Sequence, residues 1–193
     1  MKRIFVTALS ALLPVLAASH TGSLEHGHDF ISGFIHPMTG PDHLAAMLAV
    51  GLWSGLALSR PWHVPMAFAL MLLAGALVGM SGLAGVGLSM VEPMIAVSVL
   101  ALGLLAALRQ QMSLGAALVL VGTFAFFHGV AHGTELDGSI ALLGMVLATW
   151  LLHLAGLGLG LLLRRQARLQ VALSRVLGGG IALLGLGLLA RMV

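Results

Sequence analysis

The sequence predicts an all-α integral membrane protein: a compact bundle of about six transmembrane helices behind a cleavable signal peptide. Three observations predict it. Of 193 residues, 60% are hydrophobic and 8% charged, whereas a soluble domain carries about a quarter charged residues. Six apolar runs are each long enough for the roughly 20 helical residues that cross a bilayer. The arginines gather in the short stretches between alternate runs. The mean hydropathy of +1.10 agrees. The length suits one membrane domain over residues 20–193, with no separate soluble domain. A net charge of +3 placed in short loops is the mark of membrane orientation, with the lipid bilayer as partner and no nucleic acid. The absence of cysteine excludes disulfides, thiolate metal sites and cysteine catalysis.

Met1 to Ser19 reads as a secretory signal. Lys2 and Arg3 form its basic end, Ile4 to Leu16 its apolar stretch, and Ala17, Ala18 and Ser19 the small residues for cleavage. A retained short first span is the alternative. Cleavage after Ser19 makes His20 the new N-terminus, whose amine and imidazole together can chelate a metal, with His26 and His28 close behind. The plainer alternative for His20 to Asp29 is a solvated tail. Phe30–Ile35 is a candidate half-helix, broken at His36-Pro37. The spans then run over Pro41–Leu58, Trp62–Gly82, Ser89–Leu108, Met112–His132, Gly138–Leu163 and Gln170–Met192. Small residues four apart, Gly75 with Gly79 and Gly156 with Gly160, suit close helix packing without water.

Arg60 follows the first span, Arg109 the third, and Arg164, Arg165, Arg168 and Arg175 surround the turn between the last two. The loops after the second and fourth spans contain no Lys or Arg, and the latter holds Glu135 and Asp137. Positive residues stay in the cytoplasm. The first span therefore runs inward from a mature N-terminus outside the bacterial inner membrane. Arg191 is the exception.

Nine histidines exceed the six acidic residues, and ionisable groups within hydrocarbon are costly and usually functional. The densest stretch is His36-Pro37-Met38-Thr39-Gly40-Pro41-Asp42-His43. Proline breaks a regular helix but suits its first position. Pro41 should therefore start a helix capped by Gly40, with Asp42 and His43 in the first turn and His36 across the break. A second motif is Phe127-His128-Gly129-Val130-Ala131-His132-Gly133-Thr134-Glu135. On a continuous helix His128, His132 and Glu135 share one face. If Gly133 ends the helix, Glu135 reaches back from the loop. Structural histidines bonded to carbonyls are the plainer alternative.

Topology brings these groups together. His36, Asp42 and His43 lie at the outer end of the first span, Glu92 near the outer start of the third, and His128, His132 and Glu135 near the outer end of the fourth. Imidazole and carboxylate without thiolate suit Ni²⁺, Co²⁺, Zn²⁺, Cu²⁺ or Mn²⁺ rather than Cu⁺. His153 lies deeper in the fifth span, either a second station along a path or a packed histidine bonded to a neighbour. His63 reads as interfacial.

The motifs His36-Pro37-x-x-Gly40-x-Asp42-His43, Glu92-Pro93 and Phe127-His128-Gly129-x-Ala131-His132-Gly133-x-Glu135 resemble those of the HupE/UreJ family of nickel/cobalt permeases. The resemblance extends over essentially the whole mature chain, including His20. It implies secondary transport of Ni²⁺, in some members Co²⁺, serving hydrogenase or urease maturation, with the accessory proteins of those enzymes as partners. The cargo metal (Zn²⁺ is also compatible) is transported rather than kept as a prosthetic group. Carried over by motif, the functional set is His36, Asp42, His43, Glu92, His132 and Glu135. Phe68 is similar to an aromatic residue on which the family relies. Broader nickel permeases use a His-x4-Asp-His pattern that the six-position step from His36 to Asp42 does not reproduce.

No Gly-x4-Gly-Lys-Ser/Thr loop is present, so ATP hydrolysis through one is excluded and the protein is expected not to be an enzyme. The competing assignments are an intramembrane zinc hydrolase, with metal-activated water and Ser32, Ser89 or Ser139 in support, and a metal-sensing accessory subunit. The sequence leaves a homo-oligomer open.

Overall fold

The computed structural model describes residues 29–82, 88–136 and 138–192, and within these the side chains of all but Leu88 and Arg168. The signal segment, His20, His26, His28 and Asp137 lie outside the described residues. Within them the chain forms seven α-helices and no strand: α1 (Phe30–Thr39), α2 (Pro41–Ala57), α3 (His63–Met80), α4 (Leu88–Leu108), α5 (Leu114–Glu135), α6 (Ser139–Arg164) and α7 (Ala167–Ala190). Helices are what such apolar runs must form in lipid, where every backbone N–H and C=O needs a partner within its own segment. Five of them, α3 to α7, are long and apolar enough to cross a membrane. At 17 residues, α2 is about 25 Å long at 1.5 Å per residue.

The ends follow local chemistry. Asp29 caps α1, its carboxylate accepting from the Ser32 N–H at 2.6 Å. That bond holds the Asp29 carboxyl below its ordinary range. Pro41 opens α2 at its first positions with Gly40 as cap and Asp42 in the first turn, as its fixed φ favours. Ser113 caps α5 by accepting from the Ala116 N–H.

One expectation about breaks is corrected, and one left open is decided. The helix does not break at His36-Pro37. Pro37 sits within α1, in its last turn, where its missing N–H removes a single intrahelical bond. The break falls at Gly40, whose backbone is extended. Nor does Gly133 end its helix, since α5 continues to Glu135.

Helix directions follow from which residues face each other. A Cβ on Gly51 would meet His153 O, and one on Gly55 would meet Leu157 O, so α2 and α6 run parallel. Gly75 against Phe126 and Gly79 against Val130 make α3 and α5 parallel. Gly103 against Gly178 and Gly185 against Leu100 make α4 and α7 antiparallel. Each pair is in backbone contact through glycine, as at Gly55, whose Cα would lie 3.0 Å from a Cβ on Gly160. These seams contain both small-residue pairs picked out in the sequence. By contrast α1 runs antiparallel to α6, Gly33 facing Ala141 and Gly144 facing Phe30. It is a half-helix that folds back onto the start of α6 before α2 turns down into the bundle.

The buried core centres on α2. Met47, Trp53, Phe68, Leu72 and Met145 are each fully buried there. Leucine, valine and methionine such as Leu70, Val119 and Leu183 cover the outward faces. Two bonds tie the end of the bundle remote from His36. The Trp53 indole N–H donates to Gln110 O at 2.8 Å, and Arg164 donates to Leu58 O at 3.1 Å. Trp53→Phe removes the first of these. It should lower the unfolding free energy by about 1–2 kcal/mol, read as an earlier thermal transition in detergent.

Candidate metal centre

The break at Gly40 turns the end of α1 back over the start of α2, and the last turn of α5 rises to meet both. Glu135 Oε2 accepts from His36 Nε2 at 2.8 Å, linking α1 to α5. The His132 ring lies 5.0 Å from that of His36 and 4.4 Å from that of His43. One ligand atom from each of His36, His132 and Glu135 falls within 4.8 Å of the others. Ligands about 2.0–2.2 Å from a metal lie roughly 3–4 Å apart, so small side-chain rotations would close this set on an ion. His132 is fully buried and neither of its ring nitrogens has a partner. A neutral imidazole has both a donor and an acceptor to satisfy, and burying them unpaired costs free energy. A cation bound there would satisfy the acceptor.

Asp42 lies outside this set and pairs with His43, whose ring packs against His132. Its Oδ1 accepts from both the His43 backbone N–H and His43 Nδ1, each at 2.9 Å. Gly40 leaves room for this pair, because a Cβ there would come 2.9 Å from Asp42 Oδ1. Beyond His43 the rings continue inward. His128 is 4.9 Å from His43 and 5.8 Å from Phe68, and Phe68 is 4.8 Å from His153. His36, His132, His43, His128, Phe68 and His153 thus form a file of rings supplied by α1, α5, α2, α3 and α6.

The remaining candidates are placed as follows. Glu92 is exposed near the start of α4 and lies outside the three-ligand set. His153 donates from Nδ1 to Thr149 O at 2.7 Å, the bond expected of a packed histidine, while its Nε2 has no partner. His63 is exposed. His20 is outside the described residues.

Two participants escaped the sequence reading. Ser98 Oγ lies 2.8 Å from His128 Nε2, and the Thr149 carbonyl holds His153. Ser98 did carry a signal. It is the sole polar side chain in the apolar run from Met94 to Leu108, and a lone hydroxyl at such depth needs a partner.

With this geometry in hand, comparison with known proteins gives a consistent result. The family model described as HupE / UreJ protein matches residues 7–188. The protein named HupE of Rhizobium leguminosarum bv. viciae is 40% identical over 191 residues, covering 95% of each chain. No solved structure matches. A match over nearly the whole chain, with a relative at this identity, makes the protein a member of the HupE/UreJ family.

Proposed function

We propose that the protein is a secondary permease for a divalent transition metal, Ni²⁺ first and Co²⁺ second. It takes the ion from an outer-face site into the cytoplasm to supply a hydrogenase or urease. The observation that carries this function is the file of rings running from His36, His132 and Glu135 down to His153. A sensor or accessory subunit needs a site, but it does not need one that continues into the bundle. The ligand set, imidazole and carboxylate without thiolate, matches the preferences of these ions. Family membership and the motifs that carry it support the same cargo.

Six crossings, α2 to α7, fit the alternating helix directions. Arg60, Arg164 and Arg165 lie at the end opposite His36, which favours a cytoplasmic location for that end. The multi-pass chain then sits in the bacterial inner membrane with His36 and the mature N-terminus outside. Signal cleavage after Ser19 would place His20 on the same side as His36. N-terminal sequencing of the purified protein should begin at His20, and a sequence beginning at Met1 would remove that residue's proposed role.

Acid dependence tests the imidazole chemistry. Imidazole binds metal only when deprotonated, so nickel uptake into proteoliposomes should fall as pH drops from about 7 to 5. The Asp29 cap acts in a separate window. Its folded pKa is lowered, so the stability it contributes is present above the ordinary carboxyl value of 3.8 and is lost only below that. A fall in uptake between pH 7 and 5 therefore reports imidazole and not loss of α1. A flat profile over this range would contradict imidazole ligation.

A further inference from the structure

Below the three-ligand site, three more histidines each have one ring nitrogen held and the other bare, and the partners determine which is which. Asp42 Oδ1 can only accept from His43 Nδ1, so His43 Nε2 is the bare atom. The Thr149 carbonyl can only accept from His153 Nδ1, leaving His153 Nε2 bare. At His128 the choice is made by Ser98. The single hydroxyl hydrogen of Ser98 goes to Ile95 O at 2.7 Å, so its oxygen must accept from His128 Nε2 at 2.8 Å. His128 Nδ1 is then the bare atom. All three bare nitrogens are buried without a partner. An imidazole held at one nitrogen by a carboxylate, carbonyl or hydroxyl, with the other lone pair free, is the arrangement of a metal-binding histidine.

His43 adjoins the rim site already described. His128 and His153 are held by Ser98 Oγ and the Thr149 carbonyl rather than by a carboxylate, and the fully buried Phe68 ring packs against both of them. We propose that His128 Nδ1 and His153 Nε2, whose rings both pack against Phe68, supply the ligands of a second, deeper cation station, with Ser98 and the Thr149 carbonyl as positioning groups. It rests on the transport function proposed above and extends it. Two neutral imidazoles with no carboxylate ligand leave more of the ion's charge uncompensated than the rim does, so this station holds metal more weakly and passes it on. They also reject Mg²⁺ and Ca²⁺, which require oxygen ligands. The deeper station is therefore where hard cations are turned back, while the acidic rim only concentrates divalent ions.

The test uses the full-length protein, titrated with Co²⁺ in detergent while its visible absorption is followed, and assayed for radioactive nickel uptake in liposomes. Wild type should bind Co²⁺ in a tight and a weak step. His153→Phe preserves the ring shape without a lone pair. It should retain the tight step, lose the weak one and reduce flux by about tenfold or more. His36→Ala should lose the tight step instead. His153→Gln is prepared alongside, and whichever variant keeps the tight step is the one read. Wild-type flux with both steps intact in that variant overturns the deeper station. Loss of both steps in both variants also overturns it, because His153 would then act by holding the fold. A wild-type protein that binds in two steps but carries no nickel overturns the transport function and the station with it.

Discussion

His132→Leu should abolish nickel uptake while leaving the metal-free protein more stable than wild type. His132 is fully buried at the meeting point of α1, α2 and α5, its ring in contact with those of His36 and His43. Neither ring nitrogen has a partner. Leucine occupies a similar volume and removes both orphaned polar atoms, which should raise the unfolding free energy by about 1–3 kcal/mol. The same change deletes one of the three clustered ligands. Loss of an outer-shell partner alone costs 10- to 100-fold in metal affinity, so loss of this ligand should cost about 100-fold or more. Opposite signs in stability and function mark a residue retained for what it binds. A thermal scan in detergent beside an equilibrium nickel-binding assay reads both. A fall in stability together with uptake would make His132 a packing residue.

The second large effect concerns the seam that holds α2 against α6. Gly156→Ala should prevent stable folding, and Gly158→Ala, two residues along the same helix, should be tolerated. A Cβ on Gly156 would run into Leu48 O and come 3.0 Å from Leu52 N. These are backbone atoms, which cannot rotate aside, so α2 and α6 would have to separate along their length. Overpacking with side chains costs about 1–3 kcal/mol, and a backbone clash should exceed the upper figure. Gly158 has nothing within 4 Å of an added Cβ, so alanine there should be neutral, or should stabilise by up to about 1 kcal/mol through lower backbone entropy in the unfolded chain. Because α2 carries Asp42 and His43 and α6 carries His153, failure of this seam would also dismantle the ring file. The amount of monodisperse protein recovered in detergent separates the two variants directly.

Much of this was legible in the sequence because it depends on local rules. Pro41 behind Gly40 placed Asp42 and His43 in a first helical turn, and the four-residue spacing of His128 and His132 placed them on one face. The glycine pairs at Gly75 and Gly156 announced close seams, though not which helix each would meet. The fold-back of α1 was not legible. Pro37 looked like the breaker, yet a proline near a helix end removes only one bond, and the actual reversal falls at Gly40. Extension of α5 through Gly133 to Glu135 was also open, since a glycine can end a helix or, as here, sit against Ala76 of α3 where a side chain would not fit. Ser98 was hidden for a different reason. Its significance lies in a bond to His128, thirty residues away, and no periodicity encodes a pairing between helices. Glu92 was placed with the other ligands by topology alone. Its helix does begin at that end of the bundle, but the direction of the side chain depends on the rotation of α4, which is fixed by packing against α7.

The central claim is that the cluster of His36, His132 and Glu135, with the Asp42–His43 pair beside it, binds the metal that is then carried across. Radioactive nickel uptake into proteoliposomes tests it, with wild type compared against Asp42→Asn and His36→Ala. Asn retains an oxygen to accept from the His43 backbone N–H but removes the negative charge, while His36→Ala removes the partner of Glu135. Saturable uptake by wild type, lost in both variants, is the predicted result. Tight nickel binding without flux in wild type, or undiminished uptake in either variant, would contradict it.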